Sequence, residues 1–369
     1  MQKYSFISER TKINADFCAE NAIFAIFFVL LQHQENAMAE HFTTPANRMK
    51  PLVSFIITYY NQPVSMLEKC LDSIFQLPLS KDEREVIIID DGSAQSPIDQ
   101  LQQYQNAIVY LRQHNQGVSM ARNKGIDLAT GTYIQFVDAD DYLFPDIYGK
   151  CLTLTEGVSD GNHPDMVLFG ITTQEEPQEP QGKFLPPQDG ASYMRNNNVP
   201  GTACGYLFRK SLLNTLRFTE NIAYGEDEEF TTLLMLRTEN LCPTTYKPYF
   251  YRKNPQSATQ QKDTEAILKR LDDTHTVIQR LHAMEDHFPP QERKALKRKV
   301  AQLTMDYLYN IMTMTHSSRE LEKRIQELSK LGLFPLPAHN YTRKYALFCK
   351  MVNQKLTRKL LGFSLKVLK

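Results

Sequence analysis

Seven carboxylates fall in two short stretches of the chain, "YIQFVDADDY" at 133–142 and "YGEDEEF" at 224–230. In the first, an apolar run ends in Asp138, Asp140 and Asp141. Carboxylates one residue apart at a strand end can splay around a loop and hold a hard divalent cation such as Mg2+ or Mn2+, which in turn bridges phosphate oxygens. The bland reading is a solvated loop, disfavoured because like charges this close cost stability unless a cation or solvent offsets them. Asp141 reads as a cap on the turn toward Pro145. In the second stretch Glu226 to Glu229 open a helix whose apolar face is Phe230, Leu233 and Leu234. Acids in a first turn favour the helix dipole, so most of them need no further role.

Such groups need a scaffold, and the preceding sequence supplies one. "LVSFIIT" (52–58), "EVIIID" (85–90), "AIVYLR" (107–112) and "YIQFV" (133–137) are short β-branched and aromatic runs of the kind that form strands buried on both faces. Ser65 with Glu68 predicts a capping box for a helix ending near Leu77, and Ser119–Ala129 a second helix with Gly131 just past its end. This alternation means right-handed crossovers and a mostly parallel, Rossmann-like α/β sheet. Ligands sit at the carboxyl ends of such strands, where "TYYN", "DDGS" and "DADD" all fall. No G-x-G-x-x-G follows the first strand and no Walker-type loop is present. A diphosphate here would need a metal for its neutralisation.

Composition bounds the rest. Forty-two basic residues balance forty-two acidic ones, which argues against a nucleic-acid partner and makes any charge logic local. Six cysteines without a C-x-x-C pair fit neither a disulfide framework nor a zinc knuckle and read as reduced thiols of a cytoplasmic protein. The apolar run Ala22–Leu31 is too short to span a bilayer. A secretory h-region is the weaker reading of it, because Glu9, Asp16 and Glu20 precede it. Residues 1–48 are therefore set aside as an extension, with a catalytic domain over 49–259 and a helical region over 260–369.

Together "PLVSFIITYYNQP", "VIIIDDGS", "NQGVSMARNKGIDLATGTYIQFVDADD" and "GEDEEF" resemble the inverting family 2 glycosyltransferases with the GT-A fold, of the bacterial polysaccharide type. The resemblance runs from about Leu52 to Thr259. It implies that Thr58 and Tyr60 line the nucleotide pocket, with the Tyr60 ring against the base and Asp91 accepting a hydrogen bond from it. The residue-level alternatives are a core aromatic at Tyr60 and a turn aspartate at Asp91. By the same resemblance Asn115, Gly117 and Arg122 lie near the donor, though Gly117 could simply open a helix and Arg122 pair on a surface. Asp138 faces ribose and metal, Asp140 ligates the metal, and Asp227 is the base, with Glu226 as helper or structural acid. Arg252, in "YRKNPQSAT" (251–259), would help neutralise the donor phosphates or be a basic surface turn. The implied reaction moves a sugar from a nucleotide diphosphate, UDP by preference, to a hydroxyl of a saccharide or lipid-linked saccharide acceptor.

The polar, Pro-rich stretch from Gln174 to Asp189 suits a lid or insert on the acceptor side. Beyond Thr259 the pattern is helical. Leu268, Leu271, Ile278 and Leu281 form a stripe, a helix runs from about Gln291 to Met314, and Ser317 with Glu320 caps another stopping near Gly332. Residues 343–369 hold eight Lys or Arg and no acid, and Phe348, Val352, Leu356, Leu360, Phe363 and Val367 fall on one helical face. That face would lie on an anionic membrane, placing the protein on the inner leaflet, or pack on the catalytic domain. Two rival classes are a haloacid-dehalogenase-type phosphatase, whose D-x-D belongs after the first strand, and an inactive nucleotide-sugar or carbohydrate-binding module of the same fold.

Overall fold

The computed structural model describes residues 50–155, 163–176, 182–253, 263–338 and 342–367, with residues 362–367 by backbone alone. Four of the expected strands form the parallel half of a seven-stranded sheet: β1 (Val53–Tyr59), β2 (Arg84–Asp90), β3 (Val109–Arg112) and β4 (Tyr133–Asp138). With β6 (Met166–Leu168), β8 (Tyr206–Arg209) and β9 (Leu241–Pro243) the order is β3-β2-β1-β4-β8-β6-β9. Strand β8 is antiparallel to both β4 and β6. The strong β formers of β1 and β4 explain the centre of the sheet, since Val53, Phe55, Ile56 and Ile57 are wholly buried and β4 is buried up to Val137.

Register places the chemistry. Thr58 on β1 lies opposite Ile89 on one side and Asp138 on the other, and Tyr59 lies opposite Asp90. The three polar strand tails therefore leave the sheet at one edge. A small second sheet, β5 (Tyr142–Leu143), β10 (Tyr249–Phe250) and β7 (Ile171–Thr172), stands beside that edge in the order β5-β10-β7.

Helix α1 (Val64–Phe75) begins two residues earlier than a cap at Ser65 would place it, with Pro63 as its N-cap and no side-chain cap. Ser65 is thus the second helical residue, out of register for a capping box with Glu68. Helix α2 (Val118–Leu128) opens from Gly117 at φ 88 and ψ 163, a backbone region open essentially only to glycine. Its far end does not use the expected glycine cap, because Ala129 is already extended. Gly131 answers to crowding instead: a Cβ there would lie 2.5 Å from Ser54 Oγ and 2.7 Å from Ser54 N. Gly131→Ala should destabilise by about 1–3 kcal/mol as an overpacked site, read as a lower urea midpoint with unchanged slope.

After α3 (Pro145–Leu152), residues 183–188 run beside 241–245. Lys183 and Thr245, Leu185 and Pro243, and Gln188 and Leu241 are joined by hydrogen bonds. The described end of the expected lid is thus an anchored strap, while residues 177–181 lie outside the described residues. Helices α4 (Gly190–Asn196) and α5 (Glu226–Met235) follow the strap and β8.

Among the described residues, five α-helices follow: α6 (Thr264–Ala283), α7 (Pro290–Thr315), α8 (Ser318–Lys330), α9 (Arg343–Asn353) and α10 (Lys355–Val367). Pro290 takes the first position of α7, where a missing N–H costs nothing. Ser317 Oγ accepts from Glu320 N at 3.2 Å, and Gly332 follows α8 at φ 73. In α6, Leu271, Ile278 and Leu281 are buried, but Leu268 is exposed. The terminal helix is two helices, broken where Gln354 is extended at φ −98 and ψ 127. The expected single apolar face does not form: Val352 is in the core, whereas Leu356 and Leu360 face outward.

Candidate active site

Asp138, at the end of β4, and Asp227, in the first turn of α5, meet on one guanidinium. Arg122 Nη2 donates to Asp138 Oδ1 at 3.2 Å, and Nη1 donates to Asp227 Oδ1 at 2.5 Å and to Glu226 Oε1 at 3.4 Å. Arg122 is 4% exposed, which overturns the reading of it as a surface pair. A buried cation between three carboxylates is held charged by them, and it holds them together against their mutual repulsion. Asp227 Oδ2 accepts from the Ala203 N–H at 3.2 Å. Burial raises the Asp227 pKa and Asp138 adds to the rise, while Arg122 opposes both. Burial, then the Asp227 charge, pushes Glu226 up as well.

The remaining acids of α5 have structural partners. Glu228 pairs with Lys299 Nζ of α7 at 2.6 Å. Glu229 accepts from Arg280 Nε of α6 at 2.7 Å and from Thr219 Oγ1 at 2.8 Å. The C-terminal helices thereby fix the axis of α5 and the position of Asp227. Lys299→Met, which strands a partly buried Glu228, should cost about 1–3 kcal/mol in the urea midpoint.

The three aspartates after β4 separate into different roles. Asp141 is buried and accepts from Tyr249 Oη at 2.7 Å and Arg252 N at 2.7 Å. It does not cap the turn toward Pro145, since α3 has no side-chain cap. Asp140 remains partly exposed, and burial followed by the charge of Asp138 raises its pKa. Arg252 Nε donates to the Asp140 carbonyl at 2.9 Å, so Arg252 is bound to this loop rather than being a free surface turn. The rest of its expected loop, residues 254–259, lies outside the described residues.

Asp140 and Asp138 are a pair of oxygen donors whose shared negative charge a cation would relieve. Among the described residues no group of three or more His, Cys, Asp or Glu forms a metal cage. Two carboxylates with the remaining positions left to water and phosphate are the arrangement that suits Mg2+ or Mn2+.

At the other strand ends, Tyr60 is 48% exposed and so is not a core aromatic; that part is played by Tyr59, buried with its hydroxyl donating to Gln62 O at 2.7 Å. Thr58 is half-buried beside Asp138. Asp91 is buried and already accepts from Gln113 Nε2, Gln116 N and Gly117 N at 2.8–2.9 Å. It shapes the loop that carries the exposed Asn115 and Gly117, leaving about one of an ionised carboxylate's four acceptor directions for a ligand.

Sequence reasoning missed two residues here. Tyr249 donates to Asp141 and accepts from Asp138 N at 3.1 Å, and Cys204 Sγ lies 3.6 Å from Asp138 Oδ2. Neither stands in a motif, and only the tertiary fold brings them to β4.

Residues 54–217 match the model of the Glycosyl transferase family 2 family. Over that segment the chain is similar to family 2 glycosyltransferases, and its fold is of the GT-A type. Among its relatives, an uncharacterised glycosyltransferase of Bacillus subtilis, EpsJ, is 31% identical over 58% of this chain and 64% of its own length. A poly(ribitol-phosphate) beta-glucosyltransferase of Bacillus spizizenii is 30% identical over 54% of this chain and 32% of its own length. The chain thus spans less than two thirds of either relative. The structure of Staphylococcus aureus TarS 1–349 in complex with UDP-GlcNAc superposes with a TM-score of 0.62 at 17% identity, covering 84% of this chain and 92% of that one. No helix among the described residues is long and apolar enough to cross a membrane.

Proposed function

We propose that the protein transfers a sugar from a nucleotide-diphosphate donor, by preference a UDP-sugar, to a hydroxyl of a saccharide or lipid-linked saccharide acceptor, with inversion. The observation that carries this reading is the shared guanidinium: the strand-end aspartate Asp138 and the helix-start aspartate Asp227 lie on either side of Arg122. On this reading, the carboxylate that would face the donor and the carboxylate that would take the acceptor proton stand one guanidinium apart. The named glucosyltransferase activity of the Bacillus spizizenii relative supports transfer over mere binding.

Residues 49–259 would do the chemistry, and the helices of 260–369 would brace α5. Tyr60 offers an exposed ring for the base to stack on, and Asp91, Asn115 and Gly117 shape the loop facing it. Asp138 and Asp140 would hold a divalent cation, Mg2+ or Mn2+, which when bound supplies positive charge for the leaving diphosphate. Asp227 takes the proton of the acceptor hydroxyl during attack, on the face opposite the nucleotide. Arg122 keeps Asp227 aimed, and Glu226 serves as the structural acid beside it.

Screening nucleotide sugars for slow hydrolysis in Mn2+ and in EDTA tests this reading. A single preferred donor, hydrolysed with Mn2+ and not with EDTA, is expected. An inactive binding module would hydrolyse none. Tyr60→Ala should weaken binding of that donor by about 1–3 kcal/mol, on the scale of base–aromatic stacking, while leaving stability within about 0.5 kcal/mol.

A further inference from the structure

The terminal helices carry a feature that transfer chemistry does not use. Leu347, Leu356 and Leu360 are 60%, 74% and 61% exposed, against a core in which most leucines are wholly covered. Arg343, Lys344, Lys350, Lys355 and Lys359 are all exposed, and among the described residues none of the five has an ion-pair partner. The sixth cation, Arg358, is different: it is buried and pairs with Glu322 at 3.0 Å while donating to Val352 O at 2.7 Å. It pins α10 to α8 and frees its neighbours to face outward.

Helical spacing sets the leucines among the cations. Leu347 stands three or four residues from Arg343, Lys344 and Lys350, and the pairs Lys355/Lys359 and Leu356/Leu360 run side by side along α10. Leu347 and Leu361 line a common cavity of about 420 Å³ with Tyr309, Phe348 and Met351, so the outward edges of the two helices meet.

We propose that α9 and α10 form a docking surface for an anionic phospholipid bilayer, with Leu347, Leu356 and Leu360 entering the headgroup boundary and the five free cations facing lipid phosphates. The face differs from the one the sequence alone suggested, because Val352 points into the core. Charge complementarity selects the occupant. A second copy related by a two-fold axis would place the same cations against one another, which opposes association. An acid-free stretch of 27 residues with eight cations matches an anionic leaflet, and its attraction falls off over a Debye length.

Flotation of the full chain with phosphatidylcholine vesicles, with and without phosphatidylglycerol, tests this. The chain should float with the anionic vesicles, release as salt is raised, and stay behind with the neutral ones. Leu356→Ser with Leu360→Ser, and separately Lys355→Gln with Lys359→Gln, should each lower the bound fraction by about fivefold or more, with thermal melting and donor hydrolysis unchanged. Failure to float, equal binding to neutral vesicles, or unaltered binding by both double variants would overturn the proposal. So would a loss of self-association in these variants without any effect on flotation, which would make the face a contact between copies.

Discussion

Asp227→Asn should lower turnover by about 10²–10⁴-fold while leaving donor affinity almost unchanged, because the amide keeps the shape of the side chain and loses only its capacity to take a proton. Its partners make this clean. The amide oxygen can still accept from Ala203 N or from Arg122, so the first turn of α5 should hold its place. On the proposed reading, donor affinity would reside elsewhere, at the strand ends of β1, β2 and β4. A parallel fall in donor affinity would show that the substitution had damaged the cleft instead. In the wild type, burial is the main cause that lifts the Asp227 pKa, with Asp138 adding to it and Arg122 opposing. The proton-accepting form exists above that pKa, so kcat/KM should fall as pH drops through a value above the ordinary aspartate range. A pH profile of kcat/KM flat down to that ordinary range would contradict the assignment.

Arg122→Gln should be the most damaging single change to stability near the site. It leaves Asp138, Asp227 and Glu226 facing one another with their shared cation gone, and their side chains are only 31%, 20% and 11% exposed. Removing one partner of a buried ion pair costs about 3–5 kcal/mol, and the partial exposure of Asp138 and Asp227 puts this case near about 3 kcal/mol. The sign of the pH effect separates this role from simple packing. Losing the group that does most to lower the Asp227 pKa, with only the Ala203 N–H left to oppose burial, should move the acid limb of kcat/KM to higher pH. Arg122→Lys should restore most of the limb and only part of the stability, since an ammonium cannot fork between Asp138 and Asp227. A variant as stable as the wild type, or one with an unmoved acid limb, would remove Arg122 from the centre of the account.

Much of the scaffold was legible because local pattern and tertiary placement agree there. The apolar runs of β1, β2 and β4 could only be buried strands, and a parallel sheet sends their polar tails to one edge. What sequence left hidden lies at long range. Arg122 and Asp227 are 105 residues apart, and no local rule says that one buried arginine will serve both carboxylate motifs. Asp141 looked like a cap because a short acid before a proline usually is one, yet Tyr249, 108 residues on, claims it. The capping box at Ser65 failed by two residues of register, since Pro63 already supplies the backbone angle that starts α1. At the C-terminus a continuous helical period hid the break at Gln354, which turned an expected single face into two helices with different outlooks. Glu228 and Glu229 read as dipole-compensating acids, and their ties to α7 and α6 became visible only once those helices were packed.

Titration of UDP into the protein, with Mn2+ present and with EDTA, on the wild type, Asp140→Asn and Asp227→Asn, addresses the central claim most directly. Heat of binding should be present for the wild type and Asp227→Asn with Mn2+, and should be lost in EDTA and in Asp140→Asn. UDP binding that is equally tight in EDTA, or intact in Asp140→Asn, would contradict a diphosphate held through the acidic end of β4.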